Sequence, residues 1–596
     1  MKYKQLITRR IFVICIGKIG LLFLLIGRMF FMQFLKKDEY KTLSDKNRIK
    51  ILVLNPTRGK IFDINQKLIA ENNVCFRLAL DKSISNNFLS EVEFIVKILD
   101  LDEERIKLIN KKVRKGERRV PITIIDYLDW KQIATIEELK GELQSIFIDT
   151  GFDRYYSSSH ATGHLVGYLG SFQEKDKLTH NFASKNFKLG KSGIEHHYEN
   201  KLCGEFGYNR IEVNAHGKYV RELGQNPSSS GEDLHLNIDS ELQQKTLPYL
   251  DPKGCSAIVM NCQTGAILIS HSTPSYDPNK FNHLSTKYWN SLINDPYKPL
   301  IDKTIQSSYP PGSIFKIITI LAALEHGISP DHKVECTGKP VLGGNRFRCS
   351  KISGHGSLSM IDAIKHSCNS YIYDIAMQTG ADKIIEVARK FGFGAKTNVD
   401  LPIELCGFVP DPDWKKKKHG ERWSVGDTLN LALGQGFMLA TPMQLVRLIA
   451  AIASNGKLFT PQIAKNEPQY TQIDIKQEHL DVIKTALYHT INSPGGTGYL
   501  NRIDYKSMHM AGKTGTAQVR AKKNAHDNLN RKDINREYRN HAIFSGFAPF
   551  SDPRFAVSVY YDHGGGGGRS ATPIAKKILI DVMSKYLGSP AINVDL

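Results

Sequence analysis

Tyr309-Pro310-Pro311-Gly312-Ser313-Ile314-Phe315-Lys316 joins a Pro/Gly turn to the apolar run IITILAALEHG (317–327), which reads as a buried helix stopped at Gly327. The reading places Ser313 at the helix start. Positions i and i+3 share one helix face, so the Lys316 amine can meet the Ser313 hydroxyl while its stem lies among Ile317 and Ile320. Partial burial lowers a lysine pKa toward neutrality, which would let Lys316 take the serine proton as a general base. An isolated Ser-x-x-Lys is more often an N-capping serine followed by a surface lysine. The other example here, Ser454 to Lys457, runs through Asn455-Gly456 and reads as a helix end.

Working outward, His366-Ser367-Cys368-Asn369-Ser370 interrupts a helical pattern about fifty residues later and offers a hydroxyl and an amide two positions apart. Gly512-Lys513-Thr514-Gly515-Thr516 has β-strand context; Gly515 would let a substrate backbone approach closely, and Lys513, Thr514 and Thr516 would bind a carboxylate. Neither motif decides anything alone, since Ser85-Asn86-Asn87 also fits Ser-x-Asn. Their order does. Ser-x-x-Lys at a helix start, Ser-x-Asn next and Lys-Thr-Gly on a late strand form the set used by serine acyl-transfer enzymes that react with β-lactams, with Cys368 where an Asp commonly stands.

Cys336, Cys349, His355 and Cys368 follow C-x12-C-x5-H-x12-C. Three thiolates and an imidazole suit tetrahedral zinc, and the Gly-rich segment between them has little apolar surface to hold it. Because the spacing is not that of a compact zinc finger, a disulfide and free thiols stay open. Cys15, Cys75, Cys203, Cys255, Cys262 and Cys406 show no ligand spacing and read as small buried hydrophobes, or as membrane-embedded for Cys15.

The N-terminal stretch IFVICIGKIGLLFLLIGRMFFMQF (11–34) has the length of a membrane-spanning helix, and no A-x-A-like cleavage site appears before Lys36. Lys2, Lys4, Arg9 and Arg10 precede it without an acid, whereas Asp38 and Glu39 accompany the lysines that follow. The positive-inside bias therefore puts the N-terminus in the cytoplasm and the remainder outside. With 596 residues, 41% of them hydrophobic and 23% charged, the chain has room for two to four folded domains and is neither collagenous nor disordered. Its net charge of +20 then points to an anionic envelope polymer or membrane surface rather than to nucleic acid.

Residues 50–235 mix short β-like runs with helical stretches, and the turn-rich Asn226-Pro227-Ser228-Ser229-Ser230-Gly231 marks a boundary near 225–235, followed by the half-buried strand pattern DLHLNI. Beyond it come strands (256–260, 266–270), helices (314–324, 360–378), strands (509–511, 542–547, 555–561) and a last helix (574–586). This order predicts an α+β domain, an antiparallel sheet flanked by helices in which the chain ends meet. The charge runs 415–418 and 520–539 read as solvated loops.

With these motifs in place the chain resembles the class B penicillin-binding proteins, most closely their elongation-specific penicillin-binding protein 2 group. The likeness runs from the anchor through NPTRGKIFDINQKLIAEN (55–72), HLVGYLG (164–170), GKSGIEHHYENKLCG (190–204), YPPGSIFK (309–316), GDTLNLALGQGFMLATPMQL (426–445) and AGKTGTA (511–517) to HAIFSGFAPF (541–550). It implies a cytoplasmic tail at 1–10, a signal anchor at 11–34, a pedestal (dimerisation-like) domain at 35–235 and a transpeptidase domain at 236–596.

The implied activity is that of a serine D-Ala-D-Ala transpeptidase/carboxypeptidase in the inner membrane, catalytic domain periplasmic, which cross-links stem pentapeptides during cell elongation and is acylated by β-lactams. A septal paralogue and a membrane-bound β-lactam sensor or β-lactamase are the alternatives. By likeness Ser313 is the nucleophile, Lys316 its base, and Ser367 and Asn369 assist proton transfer and positioning. Lys513 supports Ser367, Thr514 and Thr516 hold the substrate carboxylate, and the N–H groups of Ser313 and Thr516 form the oxyanion hole. The chemistry needs no cofactor; some members resemble this chain in carrying zinc at the position of its Cys/His cluster. The implied partners are a polytopic peptidoglycan glycosyltransferase and rod-shape scaffold proteins.

Overall fold

Five antiparallel strands build the frame of the C-terminal domain, in the order Ile267–Thr273, Cys255–Asn261, Phe555–Tyr561, His541–Ala548, Ala511–Ala517. The first strand pair of the domain thus lies against its last, as the sequence order predicts. A computed structural model describes residues 2–37, 48–82, 84, 85, 87–116, 121–172, 187–214, 219–339, 341, 342, 345, 346, 348–519 and 535–588.

The strand CSAIVMN is apolar almost throughout because both of its faces are covered. Cys255, Ala257 and Val259 pack in one core with the final helix, Gly567–Leu587. Ile258 and Met260 pack in another with the helix Pro442–Ala453, all of whose residues are buried. That helix starts cleanly, with Pro442 in its first turn and a reciprocal cap between Thr441 and Gln444.

The preceding domain is built on the strand Leu68–Leu80, paired along its length with Ile146–Tyr156 and extended by Ile122–Ile125. Ile61–Phe62 joins this sheet, and Leu234–His235 pairs with it in parallel. The predicted strand DLHLNI therefore shrinks to two residues and belongs to the pedestal sheet. A separate sheet, Ile49–Leu54, Gly207–Val213 and Tyr219–Asn226, lies nearest the N-terminal anchor in sequence. The anchor is the helix Lys2–Phe30, continued by a π-helical turn, Phe31–Leu35. Among the described residues it is the one helix long and apolar enough to cross a membrane, with a mean hydropathy of 2.2 in the span Arg9–Leu35.

Several expectations change. The helix expected over 360–378, with its interruption at His366–Ser370, resolves into two, Met360–Lys365 and Asn369–Thr379, because Ser367 turns the chain with φ +55°. The strand expected at 509–511 is Ala511–Ala517 and carries the whole Lys-Thr-Gly motif. Lys415–Lys418 is helical, within Pro412–His419, and Lys415 is ion-paired to Asp427 at 2.6 Å. Cys406 is exposed, whereas Cys75, Cys203, Cys255 and Cys262 are buried as expected. Of the basic run 520–539, positions 520–534 lie outside the described residues.

A buried ionic knot ties three distant segments of the pedestal. Glu195 is fully buried and takes Arg58 Nε at 2.6 Å and Arg154 Nε at 2.7 Å on its two oxygens. Arg58 also grips both oxygens of Glu199, at 3.1 and 2.7 Å. Burial alone would raise the Glu195 pKa, but the charges and hydrogen bonds of Arg154 and Arg58 outweigh it and hold the carboxyl below its usual range. Two guanidinium groups balance two carboxylates, so removing one member strands a buried charge. Glu195→Ala is expected to cost about 3–5 kcal/mol in chemical denaturation. A loss below about 1 kcal/mol, the range of an exposed pair, would mean that water reaches the site.

Candidate active site

Three segments converge at the open edge of the sheet. Gly312–Ile314 forms a 3-10 turn directly before the helix Lys316–Glu325, so Ser313 sits a residue or two outside the helix rather than on its first turn. Ser313 is partly exposed, and its hydroxyl has no hydrogen-bond partner among the described residues. The apolar run that follows buries nine of the ten helix residues, Lys316 included. The Lys316 amine reaches away from its own turn to the next motif. It donates to the Ser367 carbonyl at 2.8 Å, Ser367 Oγ at 3.2 Å and Asn369 Oδ1 at 2.6 Å. The expected direct contact with Ser313 is not formed, because the left-handed turn at Ser367 presents three acceptors to the amine.

Burial drives the Lys316 pKa down to about 8, with the nearby Cys349 and Cys368 sulfurs acting the other way. Lys513 is fully buried on the strand Ala511–Ala517, and desolvation with the charge of Lys316 lowers its pKa well below that of a free lysine. Its amine donates to the Thr514 carbonyl at 3.1 Å. Lys513 therefore faces the interior, not an incoming carboxylate. Thr514 Oγ1 donates to Thr497 Oγ1 at 2.7 Å, and Thr516 is partly exposed beside the nucleophile turn. A Cβ at Gly515 would meet Ile314 and Ile543 side chains at 3.1 Å. Gly515 thus admits the Ser313 turn against the strand.

The four Cys/His residues do come together. Cys336 Sγ and Cys349 Sγ lie 3.4 and 3.5 Å from His355 Nδ1, and Cys349 Sγ lies 3.7 Å from Cys368 Sγ. Asn369 N donates to Cys349 Sγ at 3.3 Å, so the cluster and the Ser-Cys-Asn turn share backbone.

Comparison with known proteins accords with this arrangement. The penicillin binding protein transpeptidase domain family matches residues 255–580, and the penicillin-binding protein dimerisation domain family matches 53–236. The peptidoglycan D,D-transpeptidase MrdA of Haemophilus influenzae is 33% identical, over 97% of this chain and 92% of its own length. The chain belongs to the class B penicillin-binding proteins.

Within that family it is of the penicillin-binding protein 2 type, with a serine-type D-Ala-D-Ala transpeptidase domain. The solved complex between penicillin-binding protein 2 and MreC from Helicobacter pylori contains a fold superposing with a TM-score of 0.82 at 30% identity, covering 90% of this chain and 99% of that one. A chain from a peptidoglycan synthase complex that coordinates polymerization and crosslinking gives 0.71 at 25% identity, covering 98% of this chain and 100% of that one.

Sequence reasoning missed two side chains that touch the Lys-Thr-Gly strand of this penicillin-binding protein. Thr497 lies in the loop after the helix Gln477–Asn492 and meets Thr514; Gln435 donates from Nε2 to the Thr516 carbonyl at 3.3 Å. The Gly-rich strings Pro494-Gly495-Gly496 and Gly434-Gln435-Gly436 were the available signal, since such glycines mark close backbone approach. Isotope-edited NMR of labelled lysine is expected to show the Lys316 amine titrating near pH 8. A midpoint near the ordinary value of about 10.4 would mean that the pocket is wet.

Proposed function

We propose that this protein is the cell-elongation D,D-transpeptidase of peptidoglycan, working through a Ser313 acyl-enzyme. The observation that carries the reading is the buried Lys316 amine, placed between the nucleophile turn and the Ser367-Asn369 pair. Ser313 Oγ attacks the penultimate D-Ala carbonyl of a stem pentapeptide as Lys316 takes its proton. The N–H groups of Ser313 and Thr516 receive the developing oxyanion. The C–N bond to the terminal D-Ala breaks, its nitrogen takes the proton back through Lys316 and Ser367, and free D-Ala leaves. An amine from a neighbouring stem peptide then attacks the ester, its proton passes to the same base, and Ser313 is released as the cross-link forms. Asn369 orients the substrate, Lys513 keeps the electrostatic balance around Lys316 and Ser367, and Thr514 and Thr516 bind the terminal carboxylate. Attack by water on the same ester would give carboxypeptidase activity, and a β-lactam would acylate Ser313 in place of D-Ala-D-Ala.

In this reading 1–10 lie in the cytoplasm, 11–34 cross the inner membrane, 35–235 are the pedestal and 236–596 the periplasmic catalytic domain. The pedestal exposes Val74 and Phe152 directly opposite one another across a strand pair, an apolar surface suited to a protein partner. The likeness to the Helicobacter pylori complex supports a rod-shape scaffold of the MreC type as a partner, and the likeness to the peptidoglycan synthase complex supports a glycosyltransferase.

Cys336, Cys349, His355 and Cys368 are the ligands proposed for one structural zinc. Tetrahedral bonds of about 2.3 Å to sulfur and 2.0 Å to nitrogen require edges of roughly 3.5–3.8 Å. The observed contacts of 3.4, 3.5 and 3.7 Å fit. The Cys349–Cys368 separation is far from the roughly 2.05 Å of a disulfide. The metal would hold the Ser367–Asn369 turn through Cys368 and takes no part in acyl transfer.

Purified full-length protein incubated with fluorescent penicillin should carry one covalent adduct that vanishes in Ser313→Ala. Its acylation rate should rise with pH and level off above about 8, because the neutral amine is the base. An adduct surviving in Ser313→Ala, or a rate that falls as pH rises through that point, overturns the reading. Elemental analysis of protein prepared without chelator should find about one zinc per chain, lost in Cys368→Ser. Metal-free wild type would refute the zinc assignment.

A further inference from the structure

The loop Gly434-Gln435-Gly436 touches both halves of the site and has no part in the chemistry described above. Gly312 N donates to the Gly434 carbonyl at 2.9 Å. A Cβ at Gly434, where φ is +66°, would lie 2.5 Å from the Gly312 carbonyl oxygen. The loop and the nucleophile turn are therefore in direct backbone contact, which only glycine permits. A Cβ at Gly312 (φ +54°) would in turn lie 2.7 Å from the Thr516 carbonyl oxygen, the same atom that accepts Gln435 Nε2 at 3.3 Å.

The strand Ala511–Ala517 is the last of its sheet, paired on one side with His541–Ala548. In a strand the N–H and C=O of one residue point to the same side. A Thr516 carbonyl that meets Gln435 and Gly312 thus points to the unpaired edge, and so does the Thr516 N–H. Gln435 itself is held firmly. Its N–H donates to the Asn430 carbonyl at 2.9 Å, at the end of the helix Val425–Ala432, and Thr319 Oγ1 of the nucleophile helix donates to the Ala432 carbonyl at 2.8 Å.

We propose that Gln435 is a positioning residue for acyl transfer: its side-chain amide holds the Thr516 peptide against the nucleophile turn, so that the Thr516 and Ser313 N–H groups converge on one oxyanion. The inference rests on the reading of Ser313 and Thr516 given above. An edge strand lacks a neighbour to fix its outer peptide groups, and Gln435 supplies that neighbour as a single hydrogen bond. Its side-chain amide acts through the Thr516 carbonyl. Its effect belongs in the acylation step, where the oxyanion forms, rather than in the first encounter with ligand.

The test is stopped-flow acylation of the full-length protein by a fluorescent penicillin, resolving the pre-covalent Kd from the acylation rate constant, for wild type, Gln435→Ala and Gln435→Glu. Gln435→Ala should lower the rate constant roughly 10- to 100-fold, as a small misplacement of reacting groups does, and leave Kd within about threefold, the split expected of a lost transition-state interaction. Gln435→Glu has nearly the same shape but no donor when ionised. It should be similarly slow at neutral pH and gain relative to wild type as the pH falls and its carboxyl becomes a donor. Wild-type rate constants in both variants overturn the proposal. So does a loss confined to Kd, or a loss in Gln435→Glu that tracks a fallen thermal midpoint and does not recover at low pH. If wild type itself forms no adduct, the reading of Ser313 fails and this inference with it; labelled wild type with unaffected variants overturns this inference alone.

Discussion

Two lysine amines buried without a carboxylate partner set the terms for this catalytic domain. Lys316 and Lys513 are 1% and 0% exposed, and among the described residues no ion pair reaches either. An unpaired ammonium in such a place is costly, and the group responds by releasing its proton more readily. The dry surroundings come from the elements that carry the lysines. The helix after Lys316 is almost wholly apolar and buried, and the strand bearing Lys513 has six of its seven residues buried in a sheet covered on both faces. An amine near neutrality at Lys316 is thus a consequence of packing.

The site is assembled at contacts where almost nothing can be added. Gly312, Gly434 and Gly515 each mark a place where one segment presses on another, and a methyl group at any of them would meet a neighbour within 3.1 Å. Such contacts convert the position of one segment into the position of the next. The Cys/His cluster does the same on the far side, because Cys368 stands between Ser367 and Asn369 and its sulfur packs on Cys349. The pedestal has a parallel device in the Arg58–Glu195–Arg154 knot, which joins three segments far apart in sequence. One apolar core also runs from Ile61, Ile69 and Tyr156 of the pedestal into the catalytic domain.

Much of the fold was legible where local chemistry speaks directly: the anchor from its length and hydropathy, the buried helix after Lys316, the strands 256–260 and 555–561, and the break in the helical pattern at His366–Asn369. Elements failed at their edges. DLHLNI alternates as a strand should, yet its ladder is confined to Leu234–His235, paired with Ile61–Phe62 of the other domain, and Leu236 adds an isolated bridge to Ala464. In the lysine run 415–418, Lys416, Lys417 and Lys418 face solvent as read, but nothing local announces Asp427, which pairs with the buried Lys415 across a turn. Gln435 and Thr497 are ordinary polar residues whose partners, Thr516 and Thr514, lie 81 and 17 positions away.

By itself the sequence determined which chemistry this protein carries: a serine, two lysines, a Ser-x-Asn and a Lys-Thr-Gly in that order, an apolar anchor, and a set of thiols and an imidazole with no other evident use. Short-range spacing suffices for these, since each is a matter of residue type and local periodicity. Only the tertiary structure decided who meets whom. It turned the Lys316 amine toward Ser367 and Asn369 instead of its own helical neighbour Ser313, sank Lys513 into the interior, gave Gly515 to the nucleophile turn and brought Gln435 to the sheet edge. Those outcomes follow from backbone groups that must be satisfied and surfaces that must interlock over long chain separations, and neither requirement leaves a mark in any one segment.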